Sequence, residues 1–156
     1  FCSELSEIVY KTSQELKYSS HKGGTYICIE GPQFSTRAES NIYRQWGVDI
    51  IGMTAVAEAK LAREAEMCYC TIATVTDYDV WHETEDVSLE LILENLRKNS
   101  EAVKHIIKTT IPKLPERECT CQGAMKHSIV TNLLHIEELK YNNLMRLYQY
   151  LGKKEP

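Results

Sequence analysis

The chain has 156 residues, 43% of them hydrophobic, which is enough for one globular domain with a core. A net charge of −4 without any Lys/Arg cluster argues against nucleic acid or an acidic membrane as the main partner, so we expect a small or neutral ligand. No apolar run is long enough to span a bilayer and no secretory leader opens the chain, so we expect a cytoplasmic protein. The start at Phe1-Cys2, inside a predicted helix, indicates a fragment or a processed chain.

The first half of the chain alternates helices with short strands. Apolar residues from Leu5 to Leu16 recur at helical spacing and predict a helix that ends before Gly23-Gly24. The next predicted elements, in order, are a strand over 25–29, a Gly-Pro turn over 30–35, a helix capped by Ser35 or Thr36 and ended by Gly47, a strand over 48–53 and a helix over 54–65.

Residues 68–75 form the longest apolar run of β-branched and aromatic residues, which predicts a buried parallel strand. Thr76-Asp77-Tyr78-Asp79 follows directly. Because alternate residues of a strand point to the same face, Asp77 and Asp79 should reach together beyond the carboxyl end of the strand. In open α/β sheets, ligands bind at that edge.

A long helix with one apolar face is predicted from a cap at Ser88 to Ile111-Pro112, and two short helices are predicted over 124–133 and 137–150. The threefold alternation of strand and helix predicts an α/β fold with a largely parallel sheet. We therefore predict a domain over residues 1–115 and a C-terminal helical tail over 116–156.

Three blocks of sequence point to a family. They are Glu30-Gly31-Pro32-Gln33-Phe34-Ser35-Thr36-Arg37-Ala38-Glu39-Ser40, then Gly52-Met53-Thr54, then Thr76-Asp77-Tyr78-Asp79. In this order and spacing they resemble the C-terminal half of the trimeric purine nucleoside phosphorylase family, in its methylthioadenosine phosphorylase branch. The resemblance extends from about Phe1 to Pro112. It implies a three-layer nucleoside-phosphorylase-like domain with a mixed, largely parallel sheet flanked by helices, here lacking the N-terminal half, and a homotrimer or dimer of trimers.

The activity that the resemblance implies is phosphorolysis of methylthioadenosine to adenine and 5-methylthioribose 1-phosphate, a step of purine and methionine salvage. Inorganic phosphate is the co-substrate and no cofactor is implied. The Gly-rich phosphate turn and an Arg-His pair of the family lie upstream, so the isolated chain should lack most of the phosphate site. Two alternatives stay open: a broad-specificity purine nucleoside phosphorylase, and an inactive fragment that acts as a binding module.

Asp77 and Asp79 take the catalytic roles in this resemblance. Asp77 faces N7 of the purine and acts as general acid, while Asp79 accepts a hydrogen bond from the 6-amino group. Two carboxylates that share a poorly solvated site disfavour double ionisation, so we expect one of them to hold a proton at neutral pH. On spacing alone, both residues could equally belong to a solvated strand end or a helix cap.

The remaining substrate contacts are also implied by the resemblance. Phe34 packs against the purine and Ser35 contacts the base, while Met53 lies along the ribose and Thr54 contacts phosphate at a helix N-terminus. From the residues alone, Phe34 and Met53 could be core residues and Thr54 a helix cap. The substrate-binding set further includes Ile51 and Gly52, together with an apolar pocket for the 5′ substituent formed by Leu89, Ile92 and Leu93.

Six cysteines complete the candidates. Cys119-Thr120-Cys121 resembles a C-x-C pair of some archaeal family members that use disulfides for thermal stability, so the resemblance implies that Cys119 and Cys121 could form disulfides, with reduced thiols as the alternative. The sequence does not give the connectivity. Cys68, Cys70, Cys119 and Cys121 could in principle bind zinc. Their spacing is shorter than zinc sites use, and two of the four lie in a predicted core strand, so we predict no metal site.

Overall fold

The computed structural model describes residues 1–78, 89–116 and 119–147. Within these ranges no helix has the length and apolar character that a membrane crossing requires. The helices and strands, in chain order, are α1 (Ser3–Glu15), β1 (Tyr26–Cys28), α2 (Arg37–Gln45), β2 (Ile50–Gly52), α3 (Ala55–Glu64), α4 (Leu89–Thr110) and α5 (Glu138–Leu147). Three short 3-10 helices cover Ile111–Lys113, Thr120–Gly123 and Leu133–His135.

The strands β1 and β2 form a parallel pair, with Tyr26 opposite Ile50 and Cys28 opposite Gly52. The pairing continues past β1, where the Ile29 N–H donates to the Gly52 carbonyl at 2.8 Å. Parallel strands joined through a helix are the unit of an α/β fold, so the predicted fold class is confirmed. Because both strands end at the same edge, the segments that follow them lie side by side.

The predicted strand over 68–75 is not formed among the residues that the structure describes, and none of its side chains is buried. A strand requires a neighbour whose backbone satisfies its N–H and C=O groups. In this segment the Tyr69 carbonyl instead accepts a hydrogen bond from the Cys2 N–H, at 2.8 Å, and Cys2 does not belong to a strand. The apolar composition indicated a strand, but pairing depends on a partner that composition cannot supply.

The helix predicted over 124–133 was also wrong, whereas the one over 137–150 is present as α5 up to Leu147, and its last residues, 148–150, lie outside the described ones. Residues 124–128 form successive turns, in which the Ser128 N–H donates to the Met125 carbonyl at 2.9 Å. The Asn132 side chain then accepts the Leu134 N–H at 3.0 Å and caps the 3-10 helix. Such local side-chain bonds compete with a continuous helix.

The long helix α4 packs against α1. The Tyr18 hydroxyl lies 3.1 Å from Nδ1 of His105, and the two rings meet edge to face with centroids 6.0 Å apart. Near the end of α4, the Lys113 ammonium pairs with the Glu15 carboxylate. Ile106 of α4 is buried in the same region. These contacts fix α4, which in turn holds the segment that carries Asp77.

Candidate functional site

The turn between β1 and α2 presents an uncovered aromatic ring. Phe34 exposes 83% of its surface, so it is not a core residue here. The neighbouring Ser35 Oγ is shielded from solvent and has no hydrogen-bond partner among the described residues. The exit of the turn is fixed by a capping box, in which Thr36 Oγ1 accepts the Glu39 N–H at 3.3 Å and Glu39 Oε2 accepts the Thr36 N–H at 2.7 Å. The turn therefore holds an exposed ring and an unsatisfied hydroxyl.

Two glycines allow close approaches at the edge where β1 and β2 end, and the first of them joins the first and second blocks. A Cβ at Gly31, where φ is +71°, would lie 2.8 Å from the Met53 Sδ. The turn after β1 thus contacts the residue that follows β2. A Cβ at Gly52 would lie 1.9 Å from the Tyr26 hydroxyl oxygen, so Gly52 leaves room for the Tyr26 ring in addition to its predicted place in the substrate-binding set.

Thr54 stands at the N-cap position of α3, yet its side chain makes no capping hydrogen bond and the residue is exposed. The Thr54 hydroxyl therefore does not cap α3. Free N–H groups and the positive end of a helix dipole favour an anion at such a position. The arrangement is compatible with the predicted phosphate contact.

A cavity of about 610 Å³ opens beside these residues. On one side it is bounded by Ile51, Gly52, Met53 and Thr54, so the structure brings this predicted set together. Other lining residues come from β1, β2, α3, the segment after α3 and α4, and include Tyr26, Glu58, Tyr69, Thr71, Ile72, Val103 and Ile107. The described lining does not include Phe34, Ser35, Asp77, Ile92 or Leu93.

Asp77 is half-buried, and its Oδ2 accepts a hydrogen bond from Thr76 Oγ1 at 2.7 Å. Asp79 and the side chain of Leu89 lie outside the described residues, so the pairing of the two carboxylates stays a prediction. On α4, Ile92 is half-buried and Leu93 exposes 56% of its surface. The pocket predicted for the 5′ substituent likewise stays a prediction.

The structure adds two positioning residues that the sequence analysis missed. Asn95 Nδ2 donates to the Thr76 carbonyl at 2.9 Å, and Asn99 Nδ2 donates to the Val75 carbonyl at 2.9 Å. The two amides lie one turn apart on α4, so they hold two successive carbonyls directly before Asp77. Their signal in the sequence is a pair of asparagines at i and i+4, since asparagine is a poor helix former without another role.

The disulfide bonding that the resemblance implied for Cys119 and Cys121 is absent, because all six cysteines are free thiols. A disulfide requires the two sulfurs at about 2.05 Å. The Cys119 sulfur lies instead 3.7 Å from the sulfur of Cys2. Cys70 accepts a hydrogen bond from Ser6 Oγ at 3.3 Å.

Comparison with known proteins supports the resemblance. Over 133 residues the chain is 50% identical to S-methyl-5′-thioadenosine phosphorylase of Geobacter sulfurreducens, covering 84% of this chain and 46% of the relative. It is 51% identical to the enzyme of the same name from Pyrococcus furiosus, covering 83% of this chain and 50% of that protein. The chain thus spans about half the length of the curated relatives it matches.

Solved structures agree. The fold matches a methylthioadenosine phosphorylase from an antarctic soil metagenomic library with a TM-score of 0.84 and 37% identity, over 95% of this chain and 53% of that one. It also matches the Schistosoma mansoni methylthioadenosine phosphorylase in complex with adenine, with a TM-score of 0.70 and 31% identity, over 81% of this chain and 51% of that one. A family profile described as the phosphorylase superfamily matches residues 1–112, the extent that the sequence motifs indicated. The chain therefore belongs to the phosphorylase superfamily.

Proposed function

We propose that this chain carries the purine- and ribose-binding half of an enzyme that cleaves S-methyl-5′-thioadenosine with inorganic phosphate. One observation supports this most directly. The exposed Phe34 ring and the Met53-Thr54 pair follow two parallel strands at the same edge, and Gly31 seats the Phe34 turn against Met53. A ring for stacking, an apolar ribose wall and a helix N-terminus for an anion are what a nucleoside and phosphate require. The curated relatives bear the corresponding name.

In the proposed reaction, a phosphate oxygen forms a bond to C1′ of the sugar while the C1′–N9 bond breaks. The bonding electron pair moves onto the purine, which becomes a stable leaving group when Asp77 donates a proton to N7. Asp79 accepts a hydrogen bond from the 6-amino group and thereby favours 6-aminopurines over 6-oxopurines. Thr54 supplies one phosphate contact from this chain. The family's further phosphate contacts belong to the half that this chain does not span.

The pocket for the 5′ substituent decides the substrate range. Ile92 and Leu93 are apolar, and an apolar pocket accepts a methylthio group while rejecting a hydroxyl only modestly. We therefore expect methylthioadenosine to be the better substrate and adenosine to be tolerated. Trimeric or hexameric assembly and a cytoplasmic location stay predictions from the family resemblance.

The test is a comparison of three nucleosides with and without phosphate. The chain is assayed together with the N-terminal half of the Geobacter sulfurreducens relative, and release of the free base is followed. We expect phosphate-dependent cleavage in the order methylthioadenosine, adenosine, inosine. Equal or faster cleavage of inosine would favour the broad-specificity alternative. Binding of adenine without cleavage of any nucleoside would favour the binding module.

A further inference from the structure

Four cysteines from three distant parts of the chain meet at one point. The sulfurs of Cys2, Cys68, Cys119 and Cys121 all lie within 4.8 Å of one another. Cys2 is the N-cap of α1, Cys68 follows α3, and the other two flank the start of a 3-10 helix in the tail. This set differs from the four cysteines weighed on sequence spacing, because Cys2 takes the place of Cys70.

The distances match those of a metal site better than those of a disulfide. Four sulfurs at about 2.3 Å from a tetrahedral Zn²⁺ lie about 3.8 Å from one another. The sulfurs of Cys2 and Cys119 are 3.7 Å apart. The other sulfur pairs lie within 4.8 Å, which is at most about 1 Å beyond that separation. A tetrahedral set of four thiolates is typical of zinc or iron–sulfur centres, and closed sets of this kind are structural.

The backbone around the cluster is already organised. The Cys2 N–H donates to the Tyr69 carbonyl at 2.8 Å, which fixes the N-terminus of α1 beside Cys68. The Met125 N–H donates to Glu66 Oε1 at 3.0 Å, which fixes the tail beside the end of α3. Cys2 and Cys121 are buried, so two of the four sulfurs are shielded from solvent. A site whose ligands are held by bonds outside it loses little entropy on binding.

The surroundings also favour thiolate. The Leu5 N–H donates to the Cys2 sulfur at 3.4 Å, at the positive end of α1. Zinc and similar cations bind cysteine as the thiolate, so uptake of one divalent cation by the four thiols would release their protons.

We propose that Cys2, Cys68, Cys119 and Cys121 bind one Zn²⁺ as a structural site that ties the tail after α4 to the start of α1 and the end of α3. The site carries no part of the phosphorolysis, because none of its ligands belongs to the residues assigned to substrate. Zinc binding releases the thiol protons and makes folding stability depend on the metal.

The experiment uses the whole chain, reduced and freed of metal, titrated with Co²⁺ and then with Zn²⁺. We expect one Co²⁺ per chain, with the visible bands of a tetrahedral site and the sulfur-to-cobalt charge-transfer intensity of four thiolates, both abolished when Zn²⁺ displaces the cobalt. Cys68→Ser and Cys119→Ser should weaken Co²⁺ binding by more than about 100-fold, since even indirect changes at metal sites cost about 10–100-fold. Cys28→Ser and Cys70→Ser, which replace thiols outside the cluster, should bind as the parent chain does.

Because a serine variant could fail to fold, the charge-transfer intensity of the parent chain provides an independent count of the thiolates. Three results would overturn the site: no Co²⁺ uptake by the reduced chain, uptake that survives Cys119→Ser, or iron in place of zinc after purification. If the reduced chain binds no Co²⁺ and, on reoxidation, loses the mass that corresponds to two disulfides, the four cysteines form covalent cross-links and not a metal site.

Discussion

At the scale of single residues, two glycines and one threonine shape the edge of the sheet where β1 and β2 end. Gly31 adopts a left-handed backbone and touches Met53, and Gly52 leaves room for the ring of Tyr26. Thr54 keeps its hydroxyl out of the capping bond that its position offers. The two glycines leave space for neighbouring side chains, and the Thr54 hydroxyl makes no capping bond. Together these features leave the edge open to a ligand.

Gly52→Ala should destabilise the chain because the new methyl group meets the Tyr26 hydroxyl, and overpacking of this kind costs about 1–3 kcal/mol. Urea unfolding measures the change. Gly123→Ala is the control, since a Cβ there meets no atom within 4 Å. A second substitution, Tyr26→Ala, should remove most of the penalty, and strictly additive effects of the two substitutions would contradict the contact.

At the scale of secondary-structure elements, caps and helix-to-loop bonds position the site. The capping box of α2 fixes the exit of the Phe34 turn, and α4 holds the segment before Asp77 through two amides. Neither device touches substrate. Both act by fixing the backbone next to a residue that we propose to contact substrate, so their effect should be visible in both stability and turnover.

Thr36→Ala should lower the free energy of unfolding by about 1 kcal/mol, as loss of an N-cap does. Urea unfolding of the parent chain and the variant measures this difference.

Glu39→Gln isolates the effect of the Glu39 charge, because glutamine keeps the capping-box geometry. The Thr36 backbone N–H and then its hydroxyl bind the Glu39 carboxylate and hold its pKa below the usual value. The stabilisation by this charge is therefore present above the unfolded pKa and lost as pH falls through the folded pKa. The stability difference between parent and Glu39→Gln should be measurable at neutral pH and vanish in strong acid; a constant difference would exclude the charge effect.

Asn95→Leu and Asn99→Leu each leave a carbonyl of the Asp77 segment without its donor. We expect kcat for methylthioadenosine to fall by about tenfold to a hundredfold with a smaller change in KM, since displacement of a catalytic group by about 1 Å has effects of this size. Asn143→Leu, at an exposed position on α5, should leave both constants unchanged. Loss of stability with unchanged kcat would reduce the two asparagines to structural residues.

The sequence predicted those elements whose formation depends on nearby residues. α2 carries its own capping box and α3 is rich in helix formers, while β1 and β2 lie between clear turns, so their positions were predicted correctly to within a few residues. The strand over 68–75 was wrong because pairing depends on a partner elsewhere. The cysteine cluster was missed for the same reason: Cys2 and Cys119 are 117 residues apart, and only the fold shows that they meet.

At the scale of the whole molecule, the chain leaves many large apolar side chains uncovered. Trp46 exposes 70% of its surface, Leu61 65% and Val130 93%, while the buried apolar residues are few among those described. Exposed apolar surface of this extent marks an interface. We expect the remainder of the family fold to cover part of it, since the chain spans about half of each relative.

Supplying the N-terminal half of the Geobacter sulfurreducens relative should therefore cover part of this surface. We expect the chain alone to bind a hydrophobic dye such as ANS and to show a low Tm, and the mixture to lose dye fluorescence and to melt at a higher temperature. An N-terminal fragment of similar length from an unrelated α/β protein serves as the control. Unchanged dye binding in the specific mixture would show that the two halves do not associate.

Phosphorolysis with Asp77 as the general acid is tested by measuring phosphate-dependent release of adenine from methylthioadenosine by the mixture, with the parent chain and with Asp77→Asn. Asparagine keeps the size of the side chain but cannot donate the proton to N7, so we expect a loss of about 100-fold or more in kcat, as for removal of a general acid. The melting temperature of the variant serves as the check on folding. Full activity in a folded Asp77→Asn variant would contradict the account, and so would adenine release that does not require phosphate.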